Sequence, residues 1–142
     1  MRLAKLKGLQ PPRYVVTTVS DPTADRALDK VQRQFTPDRP DRLWVADITY
    51  IPTWSGFLHL AVVLDVWSRR IVGYAIASRM TSYLAVDALE MAITRRGRDQ
   101  VAGCVVHADR GSQFRSRPYV AALHRHRIRG SMGRVASSAD NA

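Results

Sequence analysis

The chain has one cysteine, one glutamate, no long apolar run and almost no acid in its last third. A lone Cys104 cannot close an internal disulfide, and no Cys/His cluster of the zinc-binding kind accompanies it. Set in an apolar stretch, it reads as a small core residue rather than a nucleophile. No run approaches the roughly 20 apolar residues of a membrane-spanning helix, and the opening Met1-Arg2-Leu3-Ala4-Lys5-Leu6-Lys7-Gly8 lacks a signal-peptide core. A cytoplasmic protein is expected. Acidic residues number 12 against 22 lysines and arginines. Residues 43–109 are near neutral, with six arginines against five aspartates and Glu90, whereas 110–142 hold seven arginines against Asp140 alone. The first 42 residues carry nine basic and five acidic side chains. Basic flanks around a neutral middle suit a polyanion lying across one face, and they also suit a merely solvated arginine-rich surface.

What is present is organised. Residues 1–40 contain Pro11-Pro12, Pro22, Pro37 and Pro40 without sustained periodicity, and they read as a basic arm or linker holding at most a short helix over Ala24 to Gln34. The domain, 41–142, begins where composition turns apolar. Strands are predicted over Leu43–Pro52, Phe57–Val66 and Ile71–Ala77, joined by short turns into an antiparallel meander. A helix over Tyr83–Arg96 follows, with Leu84, Ala88, Leu89, Ala92 and Ile93 at helical spacing. A strand over Val101–Ala108, a helix over Arg117–Arg127 and a short strand over Ile128–Met132 complete the order. The fold class is α/β, a mixed five-stranded sheet of three antiparallel strands and a parallel crossover, with helices packed on it.

Two aspartates interrupt the strands. Asp47 lies in Leu43-Trp44-Val45-Ala46-Asp47-Ile48-Thr49-Tyr50-Ile51, and Asp109 follows Val105-Val106-His107-Ala108. Aspartate is depleted in strands, and a carboxylate among apolar neighbours must be paired, protonated or bound to a cation. By alternation Leu43, Val45, Asp47 and Thr49 share one face, as do Val105, His107 and Asp109. If the two strands are neighbours, the carboxylates come together, and hard oxygen ligands without Cys or clustered His select Mg²⁺ or Mn²⁺. Plainer readings stand beside this one. Asp47 could pair with Arg42 or Arg69, and Asp109 could cap a turn through Gly111 and Ser112. Asp65 reads as a turn cap or a partner of Arg69 or Arg70, and His107 as a satisfied strand histidine rather than a group supporting a ligand. His124 and His126 read as surface residues, Glu90 as solvent-facing, and Trp44, Trp54 and Trp67 as packing residues.

Trp44-Val45-Ala46-Asp47-Ile48-Thr49-Tyr50-Ile51-Pro52-Thr53 and His107-Ala108-Asp109-Arg110-Gly111-Ser112-Gln113-Phe114 resemble the two aspartate motifs of bacterial insertion-sequence transposases with a retroviral-integrase-type core. Leu60-Ala61-Val62-Val63-Leu64-Asp65-Val66-Trp67-Ser68-Arg69-Arg70-Ile71-Val72-Gly73 is similar to the family's second and third strands, and the likeness spans residues 36–142. It implies a ribonuclease-H-like fold, two divalent ions, and DNA strand cleavage and transfer at transposon ends. Asp47 would bridge both ions and Asp109 would ligate one. Arg110, Gln113, Arg115, Arg117 and Arg134 would touch nucleic acid. The implied partners are DNA, both transposon ends and target, and a second copy or a full-length transposase.

The resemblance also implies a third acid, a glutamate on a helix opened by an Asp-Asn-Ala motif, and its spacing from Asp109 reaches past Ala142. Asp140-Asn141-Ala142 matches the approach to that helix, with Asp140 as its N-cap, and Arg2-Leu3-Ala4-Lys5-Leu6-Lys7-Gly8-Leu9-Gln10 resembles the tail of the helix-turn-helix region that precedes such cores. The expectation is a fragment, either a gene remnant or an incomplete sequence, with little or no transposition activity. The alternatives are a non-catalytic basic DNA-binding or interaction module and a ribonuclease-H-like nuclease.

Overall fold

Alternation decides which way each residue of the first strand faces. In the computed structural model, which describes residues 28–133, β1 (Leu43–Thr53) sends Trp44 and Ala46 into the main core and turns Leu43 and Val45 to the opposite side. The two-residue turn Trp54-Ser55 leads to β2 (Gly56–Asp65), which pairs antiparallel with β1. A second reversal leads to β3 (Arg70–Ala77), antiparallel to β2, with a bulge between Val63 and Leu64. The helix α1 (Ser82–Arg96) then crosses the sheet, and β4 (Val105–Ala108) returns parallel to β1. After α2 (Arg117–Arg125), β5 (Arg129–Met132) lies parallel to β4. The sheet order is β3-β2-β1-β4-β5, which is the expected mixed sheet.

The main core lies beneath the two helices. Leu84, Ala85, Ala88, Leu89, Ala92 and Ile93 bury the inner stripe of α1, and fully buried side chains of the size of Leu89 and Ile93 contribute about 1.5–3 kcal/mol each. Gly73 of β3 permits the close approach: a Cβ there would meet the Ala88 carbonyl oxygen and lie 2.7 Å from the Ala92 nitrogen. On the opposite face a smaller cluster joins Val31, Leu43 and Val66 to Phe35, Val45 and Val105. Residues 28–42 therefore cover part of that face through Val31 and Phe35.

Three local expectations change. From residue 28 onward the segment read as a helix over Ala24–Gln34 is a turn; its earlier part lies outside the described residues. Asp29 Oδ1 accepts the backbone N–H groups of Val31 (3.0 Å) and Gln32 (2.9 Å), a local bond that competes with helix, and Gln32 and Arg33 take positive φ. The fourth strand is shorter than its apolar run. Gly103 adopts φ 83°, and Cys104 donates its N–H to the Val101 carbonyl, closing a turn before pairing begins. Val101 and Cys104 are nonetheless fully buried. Burial, and then the charges of Asp41 and Asp65, push the Cys104 thiol up to about 12, in keeping with a core residue. The third change is at α2, which ends at Arg125 instead of Arg127.

Candidate metal centre

β1 and β4 place their aspartates at the same end of the sheet. The parallel register runs Leu43 to Val105, Trp44 to Val106, Val45 to His107 and Ala46 to Ala108. Continued by one residue, it sets Asp109 beside Asp47, and alternation turns both away from the helices. Both carboxylates are exposed, which the apolar run around Asp47 did not announce. The reason is strand length: β4 stops at Ala108, so from Asp47 onward β1 keeps β2 as its only paired neighbour, with Val62 opposite Asp47. Among the described residues the Asp47 carboxylate accepts no hydrogen bond and forms no ion pair, so neither Arg42 nor Arg69 neutralises it.

Asp109 is held by the loop that follows it. Its Oδ1 accepts the Gly111 N–H at 2.8 Å. Phe114 is buried edge-on against Tyr119, with ring centroids 5.4 Å apart, and this anchors the loop to α2. Ser116 caps that helix: its Oγ accepts the Tyr119 N–H at 3.4 Å and donates to the Gln113 carbonyl at 2.7 Å. Burial raises the Tyr119 phenol above its ordinary range. Gln113 turns its Oε1 toward Gly111, within 3.2 Å of where a Cβ would stand. Arg110 donates Nε–H to the Gly133 carbonyl at 2.7 Å, tying the loop to the end of β5. Arg117 is exposed at the first position of α2, whereas Arg115 is half-buried along a cavity of about 420 Å³ between α2 and the β4–β5 edge. Arg134 and Asp140 lie outside the described residues.

The remaining candidates have structural partners. Asp65 is fully buried and accepts from the N–H of Asp41 (3.0 Å), the N–H and hydroxyl of Ser68, and Arg96 Nη2 (3.4 Å). Turn capping is thus correct, but the cation comes from the end of α1 and not from Arg69 or Arg70. Arg96 also reaches Asp41 Oδ1 at 3.2 Å, and Trp44 Nε1–H donates to the same oxygen. His107 is buried with Nδ1 3.0 Å from Ser131 Oγ, which accepts the Lys30 N–H, and Phe35 meets the imidazole edge-on. His126, expected at the surface, is buried with Nε2 3.0 Å from Glu90 Oε2, so Glu90 bridges α1 to the end of α2 and is only partly exposed. Trp44 is a packing residue, whereas Trp54 and Trp67 are exposed. The turn cap read for Asp109 through Gly111 is thus present; sequence reasoning missed Arg96, whose signal was its place in the basic last turn of α1.

The donor set suits a hard divalent cation: two aspartates at one sheet end, with no cation of the described residues paired to Asp47. Among the described residues no group of three or more His, Cys, Asp or Glu side chains assembles to hold a metal.

Residues 37–138 match the Integrase core domain family. The chain is 45% identical over 129 residues to a Mycobacterium tuberculosis (strain CDC 1551 / Oshkosh) protein named as a transposase for insertion sequence element IS986/IS6110, covering 89% of this chain and 46% of that one. It is 46% identical over 112 residues to transposase InsF for insertion sequence IS3A of Escherichia coli K12, covering 79% of this chain and 38% of the relative. The chain thus spans less than half the length of these relatives. Among solved structures, a chain of the simian T-cell lymphotropic virus intasome in complex with PP2A regulatory subunit B56 gamma aligns with TM-score 0.65 at 20% identity, covering 85% of this chain and 41% of that chain. The HTLV-2 integrase catalytic core domain in complex with magnesium aligns with TM-score 0.55 at 21% identity, over 66% of this chain and 60% of that one. These likenesses show the ribonuclease-H-like fold of an integrase catalytic core. The chain belongs to the integrase core domain family.

Proposed function

We propose that this chain is the catalytic core of an insertion-sequence transposase, acting on DNA by strand cleavage and transfer. The observation that carries the reading is the pair Asp47 and Asp109, aligned by register on neighbouring parallel strands in a family-matched sheet, with no cation of the described residues paired to Asp47. Asp47 and Asp109 would hold Mg²⁺ or Mn²⁺. When bound, such ions activate the attacking oxygen and stabilise the leaving oxygen of a phosphodiester displacement. The protein's own part is positional. Gly111 fixes the Asp109 carboxylate, and the open edge of β1 beyond Ala46 leaves Asp47 accessible to a phosphate. Arg117, Gln113 and the Arg110 and Arg115 guanidinium groups offer donors on the loop and helix after Asp109, with Arg134 the continuation of that basic run. Residues 1–40 serve as a basic arm ahead of the core, 41–142. The proposed place of action is the cytoplasm, on nucleoid DNA; among the described residues no helix is long and apolar enough to cross a membrane.

The family's third acid is not supplied by Glu90, which is committed to His126 and Arg125. Within the described residues, then, Asp47 and Asp109 are the two acids that the reading assigns to metal. That same observation favours a second reading, a non-catalytic DNA-binding module that forms mixed complexes with full-length transposase. Titration with Mn²⁺, followed by electron paramagnetic resonance of the free ion, tests the site: Asp47→Asn and Asp109→Asn should each weaken binding at least about tenfold. Equal affinity in all three proteins would remove the metal-site reading. Incubating the chain with Mn²⁺ and a labelled transposon-end duplex separates the two functions, because specific nicking lost in Asp47→Asn would exclude the non-catalytic module.

A further inference from the structure

The β1–β2 hairpin projects beyond the cover of α1. From Ile48 to Leu58 it carries no charged residue, in a chain whose net charge is +10. Tyr50 is 65% exposed, Phe57 59% and Trp54, in the turn, 108%; Ile51 on the other face is also exposed. Tyr50 and Phe57 already pack edge-on, with centroids 5.6 Å apart, and Thr53 Oγ1–H donates to the Gly56 carbonyl at 2.8 Å, so the tip is ordered rather than splayed. Exposed tryptophan and tyrosine on a rigid, uncharged element are the residues that dominate protein interfaces.

We propose that this tip is a self-association surface, and that its occupant is the same hairpin of a second copy, packed across a two-fold axis. Two observations select a second copy. The first is charge: two chains of +10 repel wherever their basic flanks face each other, and the tip is a stretch from which charge is absent. Its one cation by register is Arg79, set opposite Phe57 when the β2–β3 pairing is continued, and exposed at the rim. The second is area. Aromatic side chains bury about 150–250 Å² each, so three at these exposures offer on the order of 500 Å² per copy. Two copies then reach about 1,000 Å², where specific interfaces begin. The absence of lysine and arginine from 48–58 weighs against nucleic acid as the occupant, since phosphate contacts supply most of that affinity.

The association should strengthen as salt rises, because screening removes the repulsion while the apolar contact remains. Sedimentation velocity of the full 142-residue chain across a concentration series, at about 0.1 M and 0.5 M salt, is the test. Wild type should pass from monomer to dimer, at lower concentration in the higher salt, and tryptophan emission should shift to the blue as Trp54 is covered. The double variant Trp54→Ser/Phe57→Ser should remain monomeric with an unchanged circular dichroism spectrum, and Ile76→Ser, an exposed apolar change on β3, should dimerise as wild type does. A dimer that survives in the double variant, or a monomer at every concentration in wild type, overturns the proposal. So does a monomer whose Trp54 emission is quenched by oligo(dT) with an affinity that falls as salt rises, the outcome that would make the tip a base-stacking platform.

Discussion

Gly111 donates its N–H to Asp109 Oδ1 at 2.8 Å, and a Cβ on Gly111 would stand 2.9 Å from that same oxygen. The φ of Gly111 is not in the left-handed region, so alanine fits the backbone and only side-chain ends must yield, the Asp109 carboxylate first and the Gln113 amide by less. Gly111→Ala should leave the melting temperature nearly unchanged while weakening Mn²⁺ binding by about 10–100-fold, the range seen when groups that orient a ligand are altered. A variant that binds Mn²⁺ as wild type does would show that Asp109 needs no such restraint.

The two strand-end aspartates should behave oppositely to the buried one. Asp47→Asn removes an exposed charge that no cation of the described residues pairs, so its effect on stability should be within about 0.5 kcal/mol. Asp65→Ala leaves the partly buried N–H groups of Asp41 and Ser68 without an acceptor and removes one of the two acids that Arg96 reaches, and unsatisfied buried donors cost about 1–3 kcal/mol each. Urea unfolding of both variants checks the contrast, and comparable losses would contradict the assignment of separate roles.

Gly73→Ala should be among the most damaging single changes on the helix side. The added methyl collides with backbone atoms of α1, at the Ala88 carbonyl and the Ala92 nitrogen, which cannot swing aside as a side-chain tip can. Overpacking of this kind costs about 1–3 kcal/mol or more. Gly56→Ala gives a useful contrast, since no atom lies near its Cβ and its cost comes from φ 128° alone.

Alkaline stability should carry the signature of Cys104. In the unfolded chain the thiol ionises near 9.0, whereas burial, reinforced by Asp41 and Asp65, raises it to about 12 in the fold. The folded state then keeps a proton that the unfolded state releases, so this contribution is full below pH 9 and is lost as pH climbs toward 12, with a slope of up to about 1.4 kcal/mol per pH unit. Denaturation of wild type and Cys104→Ala between neutral and alkaline pH should give converging curves. Parallel curves would show that the thiol ionises equally in both states.

Much of this was legible because it follows from period. Alternation along Leu43–Thr49 and Val105–Asp109 assigned the faces correctly, and the i, i+4 stripe of α1 named its buried side before any contact was known. What alternation could not supply was length. That β1 outruns β4 is a property of their pairing, and it turns Asp47 from a buried carboxylate into an exposed one. The cation of Asp65 and the place of His126 were misread for a related reason: each pairing joins elements distant in sequence, Arg96 reaching Asp65 from the end of α1 and His126 reaching Glu90 from the end of α2. Trp54 failed differently, because aromatic residues default to packing and nothing local reveals that a hairpin extends past its helix.

The meander of β1, β2 and β3 closes through short turns, whereas β4 reaches β1 only after α1 has crossed the sheet. Loop closure grows costlier with separation, and non-local parallel pairing is slow. Asp47 is therefore expected on a formed surface before Asp109 arrives, which makes the carboxylate pair the last part of the sheet to assemble and the first to come apart. The four residues of β4 give the measurable sign: amide hydrogens of Val105–Ala108 should exchange faster than those of Ala61–Val63 under native conditions. Equal protection would mean that the two halves of the sheet open as one, and that a protein holding its meander also holds its acids together.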